Sequence, residues 1–208
     1  MADLLGHGNK KYRKYGKRLL TFGLPALKSD SGKVICNYAD ACKEGCYAHQ
    51  CRYLMPNVRE AQERRLRATL RDDFVEVMDA ELRRRKPIYV RIHDSGDFYS
   101  PRYFRNWIAI ARHNPDVRFF AYTKALPIVQ NNPGIPKNLF LVMSEGGKCD
   151  ARIKTEDTVA RVFETEETLT GSGWGNGTKD DVKLITEGCK KIGLVYHGSP
   201  RRAFKTSR

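Results

Sequence analysis

The sequence predicts an α/β fold: a parallel sheet covered by helices, with a cysteine-rich loop after its first strand. Three observations carry that expectation. Apolar runs at 87–92, 117–122 and 138–143 are continuous rather than alternating, as in strands buried on both faces. Helical periodicity occupies stretches before and between these runs. Each run also ends in a group of polar residues, at the strand ends where sheets of this kind hold their chemistry.

Taken in chain order, residues 7–18 carry Lys10, Lys11, Arg13, Lys14, Lys17 and Arg18, with Tyr12 and Tyr15 between them. Basic side chains neutralise phosphates and tyrosine faces stack on bases, so this segment reads as a nucleic-acid-binding arm. Residues 18–22 form a short candidate strand that Gly23 and Pro25 stop. A turn at 29–32 leads into the cysteine segment 36–51. Pro56 then opens a helical pattern through Arg85, with Leu66, Leu70, Phe74, Val77, Met78 and Leu82 on one face and a candidate break at Asp72-Asp73. The run 87–92 is the clearest strand, and it ends in His93, Asp94, Ser95 and Asp97. Pro101 starts a helix through His113, with Tyr103, Phe104, Trp107, Ile108 and Ala111 facing inward. The next strand, 117–122, ends at Tyr122 and is followed by Thr123 and Lys124. After a loop rich in Asn and Pro, the strand 138–143 leads to Ser144 and Glu145. A further strand is expected at 159–163, an exposed loop at 164–180 and a closing stretch at 183–197. The expected organisation is a basic arm at 1–18, one α/β domain at 19–200 containing the loop 36–51, and a basic tail at 201–208.

Composition limits the function. At 208 residues, with 40% hydrophobic and 30% charged residues, the chain suits one folded domain. Its 38 Lys and Arg against 24 Asp and Glu give a net charge of +14, which predicts attraction to polyanions, nucleic acid above all. No stretch has the length and apolarity of a membrane span or a leader, so a cytoplasmic protein with no membrane partner is expected. There is no P-loop, no dinucleotide fingerprint and no nucleophile elbow.

Cys36, Cys42, Cys46 and Cys51, spaced C-x5-C-x3-C-x4-C, are four of the six cysteines. In a reducing compartment such a cluster points to metal rather than to disulfides. A compact loop of thiolates suits an iron–sulfur cluster about as well as a tetrahedral zinc. His49, between two of the cysteines, is a further candidate ligand. At the strand ends, Asp94, Asp97 and Lys124 are candidate catalytic groups, because carboxylates and an amine at that place serve proton transfer or ligand binding. His93, Ser95, Tyr122, Ser144 and Glu145 are candidates for lining a ligand pocket.

The motifs Phe22-Gly-Leu-Pro-Ala26, Cys46-Tyr-Ala48, Val90-Arg-Ile-His-Asp-Ser-Gly-Asp-Phe98, Trp107 and Phe120-Ala-Tyr-Thr-Lys124 occur in an order that resembles the phage "gene product 88" family, from about residue 19 to 145. A phage protein would sit in the host cytoplasm. The Cys-Tyr-Ala triplet after a first strand, with Thr-Lys after a later one, is also similar to phage proteins that look like radical S-adenosylmethionine enzymes. That second likeness implies a partial parallel β/α barrel-like sheet, a [4Fe–4S] cluster held by Cys42, Cys46 and Cys51, and S-adenosylmethionine as a cofactor. The chain departs from the C-x3-C-x2-C spacing of that superfamily, and a fourth thiolate from Cys36 would fill the iron position that S-adenosylmethionine needs. The function expected is therefore that of an iron–sulfur protein acting on or near nucleic acid. The alternative is a non-enzymatic nucleic-acid-binding or host-interaction protein with structural zinc or a closed cluster.

Overall fold

Among the described residues eight strands form one sheet: β1 (Gly6–His7), β2 (Leu19–Phe22), β3 (Tyr89–Ile92), β4 (Arg118–Thr123), β5 (Leu139–Ser144), β6 (Val159–Phe163), β7 (Gly175–Asn176) and β8 (Lys191–Val195). The structure is a computed structural model that describes residues 3–196. The tail at 201–208 lies outside the described residues, as does the side chain of Cys51. The strand order is β1-β2-β3-β4-β5-β6-β8-β7. β1 runs antiparallel to β2, and every other pairing is parallel. The fold is thus mixed α/β. The barrel-like closure is not seen: among the described residues no pairing joins the two edges, β1 and β7.

Among the described residues six α-helices accompany the sheet: α1 (Pro56–Thr69), α2 (Phe74–Arg85), α3 (Pro101–His113), α4 (Leu126–Gln130), α5 (Glu166–Thr170) and α6 (Val182–Thr186). None of them is long and apolar enough to cross a membrane. The break expected at Asp72-Asp73 separates α1 from α2. Its cause is visible at Leu70, which the helical pattern places inward but which is 50% exposed. The apolar stripe has drifted off the core by then, and a new helix starting at Phe74 brings it back. In α3 the expected inward residues Tyr103, Phe104, Trp107, Ile108 and Ala111 are all buried. Ser100 caps that helix by accepting from the Tyr103 amide at 3.3 Å.

Because side chains alternate along a strand, each strand serves two faces. One face, with Leu20, Phe22, Val90, Ile92, Phe119 and Ala121, packs on Leu66, Phe74, Met78, Phe104 and Trp107 of α1–α3. The second face, with Leu19, Phe120, Val142, Ala160 and Ile192, is covered by Val182 and Ile185 of α6 and by Tyr12. Tyr12 belongs to a 3₁₀ segment, Lys10–Arg18, within the basic stretch expected at 1–18. The segment lies on the sheet. Tyr12 meets Phe120 at 6.3 Å between ring centroids, Tyr15 meets Tyr89 at 5.7 Å, and Lys11 pairs with buried Asp181 at 2.8 Å. Lys14 pairs with Asp180 at 2.5 Å. Lys10, Arg13, Lys17 and Arg18 remain exposed.

Candidate functional site

After β2 the chain crosses the carboxyl ends of the parallel strands as one long loop, 23–54. Backbone hydrogen bonds fix its course. The Leu24 amide donates to the Ser95 carbonyl at 2.9 Å, and the Asn37 side chain donates to the Tyr99 carbonyl at 2.9 Å. Ala39 bridges to Gly147, the Asp40 amide reaches the Gly146 carbonyl at 3.2 Å, and the Lys148 amide returns to the Tyr38 carbonyl at 2.9 Å. That approach needs a residue without a side chain at 147, where a Cβ would lie 3.0 Å from the Tyr38 carbonyl oxygen. The Asp150 carboxylate holds the turn by accepting from the amides of Gly146 and Gly147 at 2.7 and 2.9 Å. Farther on, the hydroxyls of Tyr47 and Tyr53 both donate to the Asp94 carbonyl, at 2.5 and 3.1 Å. The loop is therefore tied to the ends of both β3 and β5.

Three of the four clustered thiols are described, and they occupy this end of the sheet. Cys36 Sγ accepts from the Leu27 amide at 3.3 Å. Burial pushes its thiol up to about 12, and the nearby Asp97 carboxylate adds to the effect. Cys46 is also pushed up by burial, while backbone N–H groups of Ala48 and His49 hydrogen-bond to it and the Lys124 ammonium acts the other way. Cys46 and Cys42 add to the rise at Cys36, and Cys42 adds to the rise at Cys46. Cys42 packs at the turn after β5, its amide 3.4 Å from the Gly146 carbonyl. His49 is exposed. The donor set is chemically right for a soft metal, since thiolates are what iron–sulfur and zinc sites use. As the side chains stand, no three His, Cys, Asp or Glu among the described residues converge to hold an ion.

Beneath the loop, Asp97 is buried and accepts three hydrogen bonds: from its neighbour Phe98's amide at 2.7 Å, Thr123 Oγ1 at 2.6 Å and the Lys124 amide at 2.9 Å. Burial nevertheless raises its carboxyl above the usual range, and those donors oppose the rise. Lys124 Nζ donates to Ser144 Oγ at 2.6 Å. Asp94 packs against Gly23 so closely that a Cβ there would fall 1.9 Å from its Oδ1. Burial raises the Asp94 carboxyl as well, against the pull of Arg91 and Arg65.

The structure thus brings Cys36, Cys42, Cys46, Asp97, Lys124 and Ser144 to one place. Other expected site residues lie elsewhere. His93 is buried with φ of 64°, its Nε2 sharing a hydrogen bond with Tyr103 Oη at 2.9 Å and its ring 4.6 Å from Phe98. It belongs to the helix-covered core. Ser95 is buried too, donating to the Leu24 carbonyl at 2.6 Å and accepting from Gln62 at 2.8 Å. Glu145 is tied to Arg161 through two hydrogen bonds of 2.5 and 2.8 Å. Tyr122 donates to Asp181 at 2.7 Å on the second face. Two residues that sequence reasoning missed, Arg91 and Asp181, lie beside it. The available signal for Arg91 was a charged residue inside an otherwise apolar strand.

A family model described as Gene product 88 matches residues 3–207. The chain belongs to that family. Curated gene product 88 relatives include the Gene 88 protein of Mycobacterium phage L5, 48% identical over 52 residues, and that of Mycobacterium phage D29, 42% identical over 52 residues. Each match covers 25% of this chain and spans 20% of the relative's length. No solved structure matches the chain.

Proposed function

We propose that this gene product 88 protein is a thiolate metalloprotein of the radical S-adenosylmethionine type, with an iron–sulfur cluster in the loop 36–51 and a ligand held at the strand ends. The observation that carries the reading is the lie of that loop: it lays Cys36, Cys42 and Cys46 over the ends of β3, β4 and β5, next to Asp97 and Lys124. Cys42, Cys46 and Cys51 are the proposed cluster ligands, and Cys36 is left out of the ligand set so that one iron stays open. Burial holds Cys36 and Cys46 as neutral thiols, so their ionisation needs a cation, and a bound metal supplies one. The Leu27, Ala48 and His49 amides are ready hydrogen-bond donors to the resulting sulfur charge. A cluster with one open iron, when bound, supplies one-electron chemistry to S-adenosylmethionine. Asp97 fixes the backbone of Lys124, and Lys124 brings its ammonium to Ser144 and into the field of Cys46.

Anaerobic purification followed by metal analysis and an absorption spectrum tests this. A brown protein with broad visible absorption is expected, and Cys46→Ser should be colourless. If Cys36→Ser keeps the colour, the site has three protein ligands; if it bleaches the protein, the site has four. A colourless native protein holding stoichiometric zinc would overturn the iron–sulfur reading.

A second reading, a nucleic-acid-binding or host-interaction protein with a structural metal, is favoured by one observation. Lys10, Arg13, Lys17 and Arg18 stay exposed on one short segment, without an acidic partner among the described residues. Lys11 and Lys14 are engaged by Asp181 and Asp180 and contribute less. Neutralising the four exposed residues with glutamine is expected to lower nucleic-acid affinity. It should also flatten the salt dependence, by roughly 0.7–0.9 for each phosphate that is no longer neutralised. Unchanged slopes in filter-binding titrations would remove this segment from the interface.

A further inference from the structure

Arg91 sits on the second face of the sheet, opposite Thr21 and Phe120 of its neighbours, and no described carboxylate is paired with it. Its guanidinium lies over the rings of Tyr12 at 5.6 Å and Tyr122 at 5.4 Å. Nη1 donates to the Tyr12 hydroxyl at 2.8 Å. Nε is buried and has no hydrogen-bond partner among the described residues. Asp181 is the carboxylate nearest in kind, but its oxygens already accept from Lys11 Nζ at 2.8 Å, Tyr12 at 2.9 Å and Tyr122 at 2.7 Å. Asp94, within the field of Arg91, is wedged against Gly23 and shared with Arg65. Enclosed cations are ordinarily paired, because an unpaired one keeps its desolvation penalty.

The place of this group is as informative as its chemistry. Arg91 is one residue from the end of β3, within the field of Tyr47 in the thiol loop, and on the same face as Tyr122. The Tyr12 and Tyr122 rings beside it and the hydrogen bond to the Tyr12 hydroxyl restrict the guanidinium's orientation, as bidentate recognition of an oxyanion requires. We propose that Arg91 anchors the carboxylate or phosphate of a ligand bound under the thiol loop. Tyr12 and Tyr122 orient the anchor, and Asp181 holds those two hydroxyls in place. This rests on the strand-end ligand site of the preceding reading and is independent of the metal.

The test is calorimetric titration of the full chain with inorganic phosphate and, separately, acetate, at constant ionic strength. Saturable one-to-one binding of at least one anion is expected, and the tighter of the two identifies the oxyanion. Arg91→Gln should weaken it about tenfold or more, through loss of a charge-assisted pair of hydrogen bonds. Arg91→Lys, which keeps the charge and loses the fork, should also bind more weakly, and it carries the test if the glutamine variant does not fold. Absence of binding to the native protein, or equal affinity in the Arg91 variants, would overturn the proposal. Cys46→Ser separates it from the metal reading: metal lost with anion binding intact is the expected pattern.

Discussion

Lowering the pH from about 6.5 towards about 3 is expected to destabilise the native protein through His93, whose buried imidazole is held neutral down to about 3 against an ordinary 6.5. Burial is the main cause and the Arg91 charge adds to it. In that window the unfolded chain binds a proton that the folded chain refuses, so stability falls as the pH falls and the loss is complete below the folded value. At pH 4 the contribution amounts to about 3 kcal/mol. Asp94 and Asp97 work in the opposite direction: their carboxyls are raised by burial, so acidification through their folded values favours the native state. A difference measurement isolates the histidine. Asparagine tolerates the positive φ at position 93, so His93→Asn is the variant of choice. Urea unfolding at pH 7 and pH 4 should show the native protein losing about 3 kcal/mol more than the variant. Parallel losses in the two proteins would remove His93 as the acid-sensitive group.

Asp97→Ala is expected to lower stability by about 3–5 kcal/mol, because it strands three donors in a dry place. Those donors are the Phe98 and Lys124 amides and the Thr123 hydroxyl, and the last also accepts from the Ala125 amide at 3.0 Å. Asp97→Asn should cost less, since one carboxamide oxygen still accepts. Denaturant titration of the three proteins checks the order. A loss below about 1 kcal/mol in the alanine variant would mean that Asp97 does not hold the loops together. This reading makes Asp97 a positioning residue, one that sets where Lys124 stands, rather than a group that itself meets a ligand.

The alternation of strands and helices was legible because it rests on local patterns. Continuous apolar runs marked β3, β4 and β5, and Pro101 with the spacing of Tyr103, Phe104 and Trp107 marked α3 to its ends. α4 was not legible, because a five-residue helix begun by Leu126 and Pro127 offers too little periodicity beside its Asn- and Pro-rich surroundings. The packing of the basic segment was not legible, for a different reason. Its fate depends on Asp180 and Asp181, acids far along the chain whose pairing with Lys11, Tyr12, Lys14 and Tyr15 no local pattern encodes. The same holds at the site. The grouping of polar residues at strand ends could be read from the sequence, but which of them turn inward could not. His93 and Asp94 are adjacent, yet the positive φ at His93 sends its ring into the core beside Phe98 and Tyr103.

The docking of Tyr12 on Asp181 also sets an order of assembly during synthesis. The two residues are 169 positions apart. At about 5–20 residues per second, Asp181 leaves the ribosome roughly 8–35 s after Tyr12. The buried residues of the helix-covered face, from Leu4 to Met143, have all emerged before then. A nascent chain therefore carries its first tyrosines and lysines uncovered over a half-finished sheet, and the second face is sealed only when α6 arrives.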